Sequence, residues 1–285
     1  MRTVDMPGDA PPLSLPVLGL GTWRLGESRA ARAAEIASVR RAIELGWRLV
    51  DTAEMYGEGG AEEVVGAALH DAIRAGDVRR EELVVVSKVY PHNASRAGTR
   101  AACDRSRRRL GLDTIDVYLL HWRGEHPLAE TVQALRALAR DGAIGRWGVS
   151  NFDVDDMAQV TALGDDCALD QVWYSLGERN PEFALLPWLR ARRMPLMAYS
   201  PIDQGRAADD PVLRRIAAAR GLTATQVALA AVIAQPGVVA IPKATGEAHL
   251  RENLAAADVV LDEDEMRAID QRFPRPERAS PLAMN

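Results

Sequence analysis

Eight short apolar runs recur along the chain, and between them lie longer stretches with helical spacing. The runs occupy residues 17–20, 48–50, 83–86, 115–120, 145–149, 168–172, 196–199 and 238–241. Leu128, Val132, Leu135 and Leu138 show the intervening pattern, since all four share one helical face. Gly or Asp closes such stretches, as at Leu110-Gly111 and Arg140-Asp-Gly142, in keeping with helix C-termini. Strand and helix in alternation imply a parallel sheet, because only a crossover helix returns the chain to the same edge. In 285 residues, eight such units predict an α/β fold of the (β/α)8 TIM-barrel type rather than an open doubly wound sheet. The Gly-x-Gly-x-x-Gly turn that would favour the open sheet lacks its third glycine at Gly19-Leu-Gly21.

The opening residues, with Pro7-Gly8 between short extended pieces, read as a hairpin closing the barrel floor. After Asp262 the pattern is a final helix followed by a short, mobile, Pro-rich tail. No linker, repeat or low-complexity tract divides residues 1–285, so a single barrel domain is expected.

A chain of this length buries roughly three quarters of its unfolded surface, so neither a disulfide nor a metal is required for stability. Cys103 and Cys167 are far apart and have no neighbouring ligands, which suits a reducing cytoplasm. With 35 basic and 40 acidic residues the net charge is −5, which argues against a nucleic-acid partner. The runs Arg105-Ser-Arg-Arg-Arg109 and Arg190-Ala-Arg-Arg193 read as solvated helix ends. No basic segment followed by an apolar one opens the chain, and no apolar stretch reaches the length of a membrane span, so neither signal peptide nor membrane association is expected.

Polar residues follow each apolar run: Gly21-Thr22-Trp23, Asp51, Ser87-Lys88, His121-Trp122, Ser150-Asn151, Gln171, Tyr199-Ser200 and Lys243. Any one of them taken alone is ordinary strand punctuation. In a barrel, however, all eight strand ends face one rim, where barrel active sites are built. Asp51 and Lys88, on adjacent strands, are expected to pair at a dry barrel mouth, and a purely structural pair is an equal reading until Tyr56 is considered. An unperturbed phenol has a pKa of about 10, and a nearby ammonium stabilises its phenolate, so Lys88 is expected to make Tyr56 a stronger general acid. His121 reads either as a satisfied core histidine or as a donor to a substrate carbonyl.

Together Asp51, Tyr56, Lys88 and His121 resemble the catalytic tetrad of the aldo-keto reductase superfamily. The resemblance covers nearly the whole chain. It includes Leu18-Gly-Leu-Gly-Thr-Trp23, Leu49-Val-Asp-Thr-Ala-Glu-Met-Tyr-Gly57, Val86-Ser-Lys88, Asp116-Val-Tyr-Leu-Leu-His121, Trp147-Gly-Val-Ser-Asn151, Ala198-Tyr-Ser-Pro201 and Ile241-Pro-Lys243. Asp51-Thr-Ala-Glu-Met-Tyr and Val89-Tyr-Pro91 are similar to the bacterial branch with methylglyoxal-type reductases.

The resemblance implies NADPH bound across the barrel mouth and a cytoplasmic enzyme, monomeric by default, that reduces small carbonyl compounds. It assigns Ser150, Asn151 and Gln171 to the nicotinamide carboxamide and Tyr199 to the ring. Ser200, Pro201, Ile202 and Gly205, with Gly21, Thr22, Trp23 and Asp51 opposite, fall at the cofactor's middle. Lys243 with Ala244, Thr245 and His249 falls at the 2′-phosphate, and Glu252 with Asn253 at the adenine. Without the resemblance, Ser150-Asn151 is equally a helix N-cap and Gln171 a strand-end hydrogen bonder. Two positions depart from the family: a common serine is Ala244 and an expected arginine is His249. Histidine is the weaker, pH-dependent phosphate partner, so NADH remains possible beside NADPH.

Trp23, Met55, Tyr56, Tyr90, His121 and Trp122 are the expected substrate contacts, or else simply packed aromatics. The short tail leaves little chain to fold over the mouth, so an open pocket is expected. Two other readings are a slow nicotinamide-binding sensor or scaffold and a metal-dependent barrel hydrolase. The second needs clustered ligands, and His70, His92, His126 and His249 show no paired spacing, so no metal is expected.

Overall fold

The structure is a computed structural model that describes residues 1–7 and 13–284. Two short antiparallel strands come first, β1 (Thr3–Asp5) and β2 (Ser14–Pro16), with Val4 opposite Leu15. Of the expected Pro7-Gly8 turn between them, Gly8 lies outside the described residues. The wall strands follow: β3 (Leu20–Gly21), β4 (Leu49–Asp51), β5 (Val84–Val89), β6 (Ile115–Leu120), β7 (Ile144–Ser150), β8 (Asp170–Trp173), β9 (Leu196–Tyr199) and β10 (Val238–Ala240). They form one eight-stranded sheet in sequence order, each pair parallel. Parallel bridges between Leu18 and Ala240 and between Gly21 and Lys243 close it into a barrel.

The crossover helices are α1 (Arg32–Leu45), α2 (Gly60–Ala75), α3 (Arg96–Leu110), α4 (Leu128–Arg140), α5 (Val154–Leu163) and α6 (Leu185–Ala191). Two helices, α7 (Pro211–Arg220) and α8 (Ala224–Ile233), join β9 to β10, and α9 (Glu247–Ala255) and α10 (Glu263–Arg272) end the fold. Gly111 stops α3 in the left-handed region at φ 65°, where its N–H reaches back to the last turn. Among the described residues, no single helix is long and apolar enough to cross a membrane.

The period of two along each strand separates two apolar layers. Val50, Val85, Val89, Tyr118, Leu120, Val149, Val172 and Ala198 face the helices. Leu49, Val84, Val86, Val117, Leu119, Leu169, Met197 and Val239 fill the barrel. Leu15 and Met6 of the opening hairpin join this inner cluster, so the hairpin plugs the floor as expected. Continued by two residues, the inward positions turn polar: Leu49 leads to Asp51, Val86 to Lys88, Leu119 to His121, Leu169 to Gln171 and Met197 to Tyr199. The same alternation that fills the core therefore aims these side chains into the barrel mouth.

Candidate active site

Lys88 is fully buried, and so is Asp51. The Lys88 ammonium donates to both Asp51 oxygens, at 2.9 Å and 2.8 Å, and to the Thr52 carbonyl at 2.8 Å. Gln171 Nε2 donates to Asp51 Oδ1 at 2.8 Å. Burial pushes Asp51 up and Lys88 down toward neutrality, and their mutual attraction opposes both shifts. With every ammonium proton accepted and the carboxylate doubly bonded, the pair is held charged.

Lys88 Nζ also lies 3.3 Å from the Tyr56 hydroxyl and 4.9 Å from the centre of its ring. Here the structure corrects the sequence reading. Burial, with the Asp51 charge in support, holds the Tyr56 phenol well above its ordinary range. Tyr56 is thus a protonated phenol with the Lys88 ammonium beside its hydroxyl. His121 stands edge-on to Tyr56 with ring centres 5.7 Å apart, and its Nδ1 has no hydrogen-bond partner among the described residues. Burial first, and then the Lys88 charge, keep it well below its usual range, so it is a neutral imidazole.

These groups open on a cleft of 510 Å³ at the C-terminal rim of the barrel. Asp51, Tyr56, His121, Ser150, Asn151, Gln171, Tyr199, Ser200, Pro201, Ile202 and Gly205 all line it, as do Gly21, Thr22 and Trp23 on the opposite side. Met55 and Trp122 form part of the wall, and Lys243 stands at the far strand end. Gly21 has to be glycine, since a Cβ there would sit 2.7 Å from the Ile241 carbonyl. Asn151 adopts φ 62° and donates to the His121 carbonyl at 3.1 Å while accepting from the Tyr199 hydroxyl at 2.9 Å. Ser150 Oγ donates to the Gln171 carbonyl at 2.8 Å. The N-cap reading of Ser150-Asn151 fails, because α5 is capped by Asp153, which accepts from the Asp156 N–H.

Apart from Lys88, which is fully buried beneath the cleft surface, six expected residues stand outside this lining. Tyr90 lies behind Trp122, ring centres 5.3 Å apart. Ala244 packs on the outer core, and the Thr245 carbonyl accepts from Ser38. His249, Glu252 and Asn253 are on α9 beyond Lys243, with His249 Nδ1 at 3.5 Å from Glu252. Conversely, Arg24, Gln204, Ile241, Pro242 and Met284 line the cleft in addition to the expected site residues. Ile241-Pro242 ends the last apolar run and was legible there. Arg24, stacked 4.4 Å over Trp23, was legible only as its neighbour. Met284 had no signal: the tail read as mobile in fact returns to the rim, with Leu282 packed on the core. Nor are all the arginines of α3 solvated ends, since Arg105 pairs with buried Glu54 and Arg109 with buried Glu62.

Comparison with known proteins agrees with this geometry. The model of the aldo/keto reductase family matches residues 17–272. A methylglyoxal reductase of Escherichia coli is 45% identical over 290 residues, covering 99% of each chain. A glyoxal reductase of Bacillus subtilis is 34% identical, covering 94% of this chain and 92% of its own. An aldo-keto reductase of Klebsiella pneumoniae, solved in complex with NADPH, superposes with a TM-score of 0.89 at 46% identity, over 95% of this chain and 96% of its own. The chain therefore belongs to the aldo/keto reductase family and is an oxidoreductase.

Proposed function

We propose that this enzyme reduces small aldehydes and ketones, 2-oxoaldehydes such as methylglyoxal among them, with NADPH as reductant and Tyr56 as proton donor. The observation that carries the reading is the Lys88 ammonium, held within hydrogen-bond distance of both the Asp51 carboxylate and the Tyr56 hydroxyl beside the cleft. The identity to a methylglyoxal reductase and the NADPH complex of the Klebsiella protein support the choice of substrate and reductant.

The residues present fit such a cofactor. The cleft runs from His121 and Trp122 to Lys243. Lys243 would hold a phosphate, Gly205 leaves open space for close backbone approach, and Ser150, Asn151, Gln171 and Tyr199 would hold the nicotinamide. Since Ala244 and His249 supply less than a serine and an arginine would, NADH is a second candidate reductant. When bound, the nicotinamide supplies the hydride that reaches the carbonyl carbon.

The protein's own part is proton delivery and orientation. The neutral imidazole of His121 carries one N–H for the carbonyl oxygen, which fixes and polarises it without a competing positive charge. Tyr56 gives its proton to that oxygen as negative charge develops, leaving a phenolate beside Lys88. Asp51, held by Gln171, keeps the ammonium aimed at Tyr56. A general acid contributes about 10²–10⁴-fold. Tyr56→Phe is expected to lose that factor in kcat for methylglyoxal while NADPH still binds, as read by nucleotide fluorescence. Full turnover by the variant would refute the role of Tyr56.

A further inference from the structure

Strand β4 stops pairing at Asp51, yet its hydrogen-bond ladder to β5 continues through residues that are no longer strand. The Thr52 N–H bonds to the Val86 carbonyl at 2.9 Å, and the Glu54 N–H to the Lys88 carbonyl at 3.4 Å. The next group along β5 is the N–H of Tyr90. It donates to the side chain of Glu54, with Oε1 at 2.7 Å. Asn93 Nδ2 donates to the same oxygen at 3.0 Å, and Arg105 of α3 donates to Oε2 at 3.1 Å. The Glu54 side chain is 5% exposed, so these partners satisfy a carboxylate that water scarcely reaches.

We infer that Glu54 is a positioning residue whose carboxylate clamps the loop carrying Tyr56 to the exit of β5, and so sets the Tyr56–Lys88 separation. Its place in the chain makes this specific: it lies three residues after Asp51 and two before Tyr56, and it bonds to Lys88 through its N–H and to Tyr90, two residues further on, through Oε1. Regular structure alone does not hold Tyr56. The residue opens a 3-10 turn, Tyr56–Gly59, whose Gly57 and Glu58 both have positive φ. On its other side the turn rests on Gly26, where a Cβ added to Gly57 would approach within 2.8 Å. The loop is thus wedged between a backbone contact and the Glu54 clamp.

The inference rests on the reading of Tyr56 as proton donor, and the experiment separates the two. Full-length Glu54→Ala, Glu54→Gln and Tyr56→Phe proteins are compared for NADPH dissociation constant and for single-turnover NADPH oxidation by methylglyoxal. Glu54→Ala is expected to slow the single turnover about 10- to 100-fold, as a displacement of roughly 1 Å does, while NADPH affinity stays within about twofold. Glu54→Gln is expected to recover most of the rate, because its amide oxygen still accepts from the Tyr90 N–H. A Glu54→Ala protein as fast as wild type, or one whose rate and NADPH affinity fall together, overturns the positioning role. A slow Glu54→Ala beside a fully active Tyr56→Phe overturns the donor reading instead. Should Glu54→Ala fail to fold, Asn93→Ala removes one donor to Oε1. It is expected to slow turnover a few-fold with NADPH affinity kept, and an unchanged rate there overturns the clamp.

Discussion

Among the buried acids of this protein, Asp51 faces Lys88, Glu54 faces Arg105 and Glu62 faces Arg109, whereas Asp170 faces no cation. Asp170 is fully buried on β8, and no side-chain donor among the described residues reaches its oxygens, which have only the backbone N–H groups of Phe152 and Gln171 nearby. Burial drives its carboxyl well above the usual range. In the unfolded chain the same group ionises near its ordinary pKa, so between the two values the folded protein binds the extra proton. Stability from this residue is therefore greatest at low pH and declines as pH rises through that window. Asp170→Asn is expected to raise the melting temperature at pH 8 and leave it nearly unchanged at pH 4, as followed by circular dichroism. An equal shift at both values would show that the carboxyl has no part in the pH dependence. The identities of Asp51, Tyr56, Lys88 and His121 were legible because each stands at, or just beyond, the end of an apolar run. The proton affinity of Tyr56 was not, since it depends on how much water the folded mouth admits.

Strands and their order were legible at the scale of elements, because inward and outward side chains alternate and leave an apolar trace in every run. The same alternation placed the polar residues that cap the inner layer. The floor plug is also a matter of alternation: Leu15, fully buried, projects from β2 onto the lower layer of the barrel. Leu15→Ala is expected to cost about 2–5 kcal/mol in chemical denaturation, with kcat and NADPH affinity kept, because the cavity opens at the end away from the site. Loss of activity at full stability would place the hairpin in the site rather than beneath it. What was not legible is how β4 hands over to the Tyr56 loop. A carboxylate replacing a backbone carbonyl as a ladder acceptor has no periodic signature, and Glu54 reads in the sequence as one more acidic residue.

For the molecule as a whole, the C-terminal segment meets a rim built from strands distant from it in sequence. The segment after α10 returns to the rim, with Leu282 against the core and Met284 among the residues lining the cleft. Met284→Ala is expected to raise KM for an aromatic aldehyde a few-fold while NADPH affinity stays the same, because one apolar wall contact is worth roughly 1–3 kcal/mol at most. An effect on NADPH affinity alone would place Met284 over the cofactor half of the cleft. The sequence by itself determined the barrel, its strand order and the chemical types gathered at the rim, since periodicity and crossover connections admit few other arrangements. Only the tertiary structure decided the neutrality of His121, the tightly held proton of Tyr56, the clamp at Glu54 and the return of the tail. Each of these depends on burial and on contacts between distant segments, which no local pattern of residues encodes.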